Sequence, residues 1–168
     1  MVKKILGYGF LIIVAFFVAI VAIPSTISPS VTKEVKGSPL QVQTLLSDIQ
    51  KFRLWDPKII SDPSVSYNFY LENNIQSLQV KDSLNNIIAT YKVEKSNPKE
   101  VQISVNISSI DAFLYTFKIN QTDLGTKVNW SMDFESNLMM YMLGAESKLE
   151  NMFSEGLDSF QKTLTNNL

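Results

Sequence analysis

A chain with no histidine and no cysteine must do its chemistry with carboxylates, tyrosines or apolar surface. All 168 residues lack both types. That removes the commonest general base, the Ser-His-Asp arrangement, thiolate nucleophiles, disulfides and nearly all zinc sites. Among the carboxylates, Asp56 stands between Trp55 and Pro57. It could act on a substrate, but Asp before Pro is more often a turn former or cap. Asp133 and Glu135 lie one pleat apart, the spacing of a glycosidase-like pair, yet both alternate with apolar neighbours and should face water. With no third oxygen cluster near them they make no metal site, and no cofactor is implied. Asn106, Asn120 and Asn129 each open an Asn-x-Ser/Thr sequence. Chance supplies roughly two such matches in this composition, so they carry little weight.

Apolar chemistry is better represented. Tyr67, Phe69, Tyr91, Tyr115, Phe117, Trp130 and Met132 recur at alternate positions, Trp55 precedes them, and Met142, Met152 and Phe153 follow at helical spacing. Aromatics and methionines facing one another can line a pocket for a hydrophobic molecule, with methionine adapting to its shape and tyrosine hydroxyls holding its few polar atoms. The same stripe serves equally well as a filled core.

The elements that must position these residues show in the periodicity. Val31 to Lys36 alternates weakly and ends at Gly37. Ser38-Pro39-Leu40-Gln41 is a capping-box start with proline at the first helical position, and it opens a helix presenting Leu40, Val42, Leu45, Leu46 and Ile49. A second helical turn carries Phe52 and Trp55 and stops at Asp56-Pro57. From Val65 the period becomes two. Six further strands follow, separated by Asn73-Asn74, Asn85-Asn86, Asn97-Pro98 and Asp123-Leu124-Gly125, and Val101, Ile103, Val105 and Ile107 are the cleanest alternation. Short turns make neighbours antiparallel. Leu138, Met142, Ala145, Leu149, Met152, Phe153, Leu157, Phe160 and Leu164 predict a long amphipathic helix over residues 138–164, laid on the sheet. The expected fold class is therefore α+β.

One stretch departs from this globular pattern. Residues 5–23 contain no charge, and as a helix they are about 28 Å long, close to the bilayer's hydrocarbon thickness. Their 13 Ile, Leu, Val and Phe residues favour insertion by about 5 kcal/mol. Lys3 and Lys4 should stay in the cytoplasm, which sends the rest across the membrane. A cleaved secretory signal has a shorter apolar core and a small-x-small cleavage site, which Val21-Ala22-Ile23-Pro24 does not offer. The chain thus divides into an anchor at residues 1–23 that partners the lipid bilayer, a linker at residues 24–30 and a domain at residues 31–168, on the extracytoplasmic side of the cytoplasmic membrane. Beyond the anchor, 13 Lys and Arg oppose 16 Asp and Glu. That acidic balance, with no basic run, excludes nucleic acid as a partner.

The order strand, two short helices, six-strand meander and long C-terminal helix resembles the helix-grip layout of the START-like superfamily, also called SRPBCC or polyketide-cyclase-like. Phe52-Arg53-Leu54-Trp55-Asp56-Pro57 resembles its Trp-rich segment, Gly125-Thr126-Lys127-Val128-Asn129-Trp130 its last strand, and Leu149 to Phe160 with Gly156-Leu157 its closing helix. Glu72-Asn73-Asn74-Ile75 departs from the Gly-rich bend that many members carry there. The resemblance covers roughly residues 30 to 165 and is similar to membrane-anchored bacterial members. It implies an apolar cavity between sheet and helix that takes lipids, sterols, polyketides or other hydrophobic molecules, with no family catalytic set matched. A histidine-free cyclase- or hydrolase-like enzyme and a non-catalytic module for protein interaction in the envelope are the alternatives.

Overall fold

Side chains that alternate between water and oil need a sheet with one covered face, and the chain builds one. The computed structural model describes residues 26–57, 64–72, 75–108, 110–135 and 143–166. The strands are β1 (Thr26–Ile27), β2 (Ser30–Val35), β3 (Ser66–Glu72), β4 (Ile75–Lys81), β5 (Ile87–Asn97), β6 (Glu100–Ile107), β7 (Ile110–Gln121), β8 (Thr126–Ser131) and β9 (Phe134–Glu135). The helices are α1 (Pro39–Ser47), a 3-10 helix (Ile49–Leu54) and α2 (Ala145–Asn166). Seven strands form one antiparallel sheet in the order β2-β8-β7-β6-β5-β4-β3, and β1 pairs with β9. The protein is thus α+β, with a long C-terminal helix on a seven-stranded antiparallel sheet.

Directly paired residues in such a sheet share a face, so the register gives rows across the covered side. One row runs Tyr67, Val80, Ala89, Ile107, and the next runs Phe69, Leu78, Tyr91, Val105, Phe113. Further along come Val101, Phe117, Trp130 and Val31, then Ile119 and Val128. The helices lie over these rows. The α1 helix starts with the predicted capping box: the Gln41 N–H donates to Ser38 Oγ at 3.3 Å, and the Ser38 N–H donates to Gln41 Oε1 at 2.8 Å. It buries Val42, Leu45 and Leu46. Asp48 ends α1 by donating its N–H to Thr44 O, and starts the 3-10 helix by accepting from the Gln50 N–H.

The α2 helix lies beside β2. Lys33 Nζ donates to Ser154 O at 2.9 Å and pairs with Asp158 at 2.7 Å, while the Lys36 N–H donates to Gln161 Oε1 at 2.6 Å. The core face of α2 is Phe153, Gly156, Leu157, Phe160 and Leu164, the spacing that was predicted. Glycine within the helix answers to packing: a Cβ on Gly156 would stand 2.5 Å from Trp130 Cζ3 and 3.1 Å from Pro57 Cδ. Only a bare backbone lets α2 lie this close to the tryptophan.

The structure differs from the sequence reading in four places. Leu40, expected on the apolar face of α1, is exposed on its first turn, and the buried face is Val42, Leu45 and Leu46. Helix α2 begins at Ala145, because Gly144 takes φ +65° and residues 143–144 form a turn. The last strand ends at Ser131, with Phe134–Glu135 pairing separately against β1. Thr26, Ile27 and Ser30, read as linker, are already in strands. The proposed anchor at residues 1–23, the Asn73-Asn74 turn and the Leu138 to Met142 part of the helix lie outside the described residues. Among the described residues no helix is long and apolar enough to cross a membrane.

Candidate functional site

Burial along the rows is uneven, and the unevenness defines a site. At the end of the sheet where α1 lies, Val35, Val42, Leu46, Val101, Ile119, Val128 and Leu164 are all buried. At the other end Tyr67, Phe69, Ala89, Ile107 and Phe113 are only half-buried, as are Leu149 and Met152 on the first turns of α2. The covered face is thus fully buried at one end and, Val80 excepted, only half-buried at the other, the half-open end. The reason is length: β2 ends at the closed end and α1 follows immediately through Gly37, so this short helix covers that end alone. Gln43 Nε2 fastens it there by donating to Ser96 Oγ at 2.8 Å.

Behind the half-open end stands a block of rings. Trp130 and Phe153 stack with centroids 4.4 Å apart, and Tyr115 meets Trp130 edge-on at 5.1 Å and Phe153 at 5.8 Å. Trp55 meets Trp130, Phe117 and Phe160 edge-on, and Phe52 links it to Tyr91. These are the arrangements that ring quadrupoles favour. Of the sequence-predicted lining residues, Trp55, Tyr91, Tyr115, Phe117, Trp130, Met132 and Phe153 are buried in or beside this block. Tyr67, Phe69 and Met152 are at its half-open margin. Met142 lies outside the described residues.

The block is not purely apolar. Asp56, 1% exposed, follows Trp55 directly, with its N–H donating to Phe52 O at 2.8 Å. Burial pushes the Tyr91 and Tyr115 phenols well above the ordinary tyrosine range, and the Asp56 charge raises both further. Tyr115 and Tyr67 add to the effect on Tyr91. Both phenols stay protonated far past neutrality. The indole N–H groups of Trp55 and Trp130 are buried without an acceptor. Protonated phenols and unpaired indole N–H groups within an apolar block suit an oxygen-bearing polar end on an otherwise apolar molecule.

Sequence reasoning assigned Asp56 to a turn and placed Phe113, Ala89 and Ile107 in alternating strands without assigning them to the site. Asp-Pro after a helix has the same local signature whether its carboxylate points to water or inward. The half-buried state of the other three appears only when residues on different strands are compared. Asp133 and Glu135 are exposed, as their alternation predicts. Among the described residues no three acidic side chains gather as metal ligands. A polar pocket of about 330 Å³, open to solvent, is lined by Ser47, Ile75, Gln76, Val93, Glu94, Lys95 and Ser96 near the α1 end.

Comparison with solved structures shows the same architecture elsewhere. A protein from Chromobacterium violaceum superposes with TM-score 0.60 at 9% identity, over 84% of this chain and 98% of that one. A protein of unknown function from Staphylococcus aureus gives 0.61 at 10%, over 84% and 95%. The di-domain ARO/CYC StfQ from the steffimycin biosynthetic pathway gives 0.60 at 11%, over 84% of this chain and 52% of its own. At these identities the likeness shows the fold, a helix-grip. No family profile and no curated protein matches the sequence.

Proposed function

We propose that the protein binds a hydrophobic small molecule or lipid between the sheet and α2, and that residues 5–23 hold it to the outer side of the cytoplasmic membrane. The observation that carries the binding reading is the graded burial of the covered face, closed at the α1 end and half-open at Tyr67, Ala89, Ile107 and Phe113. The likeness to StfQ, an ARO/CYC protein, supports it at the level of fold. Binding is driven by desolvation: a ligand burying about 200 Å² of apolar surface gains about 5 kcal/mol at roughly 25 cal/mol per Å². Tyr91, Tyr115 and the two indole N–H groups hold its oxygen atoms, and the Asp56 charge disfavours an anionic end group.

Native mass spectrometry of the gently extracted protein tests this, together with titration of Trp55 and Trp130 emission by hexadecanol and a diacylglycerol. The expected result is a bound or titratable apolar molecule that Ala89→Phe, which narrows the half-open end, excludes at unchanged unfolding temperature. No bound mass and no change in emission with either probe would overturn the reading.

The buried carboxylate beside two protonated phenols favours a second reading, an enzyme in which a tyrosine polarises or protonates a substrate oxygen. Turnover that Tyr115→Phe abolishes while binding persists would establish it.

A further inference from the structure

The place where the N-terminal segment joins the sheet bears on how the gap is oriented in the cell. Strand β8 runs from the closed end toward the half-open end, and its pairing with β2 continues past the sheet in unbroken register. Ser30 pairs with Ser131, the Met132 N–H donates to Pro29 O, Ile27 pairs with Phe134, and Thr26 pairs with Glu135. Ser131 to Glu135 is about 13 Å of extended chain. The pairing of β7 with β8 stops at Thr116 and Ser131; continued at the same register, Phe134 and Glu135 would come to the level of Phe113 and Ala112, at the half-open end. Thr26 is therefore at that level too.

Pairing at Thr26 also shortens the tether. The seven residues of the expected linker reduce to Pro24 and Ser25, so Ile23 and Thr26 are three residue steps apart, at most about 11 Å. A span ending at Ile23, as proposed above, would hold this end of the domain against the lipid headgroups, with α1 and the β7 to β8 turn at the far end. Exposed leucines stand at both ends, Leu84 in the β4 to β5 turn and Leu124 in the β7 to β8 turn. The polarity of the tips does not decide the orientation; the entry point of the chain does.

We infer that the half-open end of the gap faces the bilayer surface, so that an apolar molecule passes between membrane and gap without crossing water. This rests on the reading of residues 5–23 as an anchor. The absence of cysteine makes the test direct. Ser83→Cys, in the β4 to β5 turn, and Asp123→Cys, in the β7 to β8 turn, each place one fluorophore on the full chain, reconstituted in phosphatidylcholine and phosphatidylglycerol vesicles. A fraction of the lipid carries a headgroup-linked quencher.

The label at Ser83 should be quenched several-fold more than the label at Asp123, on protein that floats with the vesicles. Equal quenching, or stronger quenching at Asp123, on protein that still floats would overturn the orientation and leave the anchor standing. Protein that does not float would overturn both.

Discussion

Gly156 carries two opposed effects in one position. Within a helix, glycine is less favourable than alanine by about 1 kcal/mol. Here the added methyl would press on the Trp130 ring and Pro57, and overpacking of this kind costs about 1–3 kcal/mol. Overpacking should win, so Gly156→Ala is expected to lower the urea-unfolding midpoint, and a raised midpoint would show that the tryptophan can move aside. Tyr91 and Tyr115 make a pH prediction. Their phenols titrate higher in the folded chain than in the unfolded one, where the value is about 10. The stability they contribute is complete below that pH and is lost as pH climbs from there through the folded values. Replacing both with phenylalanine should flatten the alkaline decline in melting temperature; an unchanged decline would remove these tyrosines as its cause.

Among the elements, α1 depends on its first turn as much as on its apolar face. Ser38 and Gln41 satisfy one another's backbone N–H groups, so Ser38→Ala should cost about 1 kcal/mol, measurable by chemical denaturation. The Lys33 to Asp158 pair, with 29% and 62% of its side chains exposed, contributes little by comparison. Strand β6 was legible because a strand turns every second side chain to one face: Val101, Ile103 and Val105 are buried as the alternation predicts. Strands β1 and β9 were not, since two residues have no period to read.

For the molecule as a whole, the short β1 to β9 ladder separates tether from fold. Removing residues 1–25 should leave the melting temperature unchanged. Removing residues 1–29 also strips Ile27, which is 3% exposed, and should cost at least about 1.5–3 kcal/mol from that side chain alone. Equal melting temperatures for the two truncations would mean that the ladder contributes nothing to stability.

Composition and periodicity by themselves determined which chemistries are closed to this protein, the class of its fold and most of the residues on the covered face. Such properties are local, because they follow from residue type and from the direction in which neighbouring side chains point. Tertiary structure decided that Asp56 lies among tyrosines, that α2 starts after Gly144, and that the covered face is less buried at the end away from α1. Each of these depends on residues distant in sequence meeting across strands or between helix and sheet, and side-chain periodicity within one segment carries no record of that meeting.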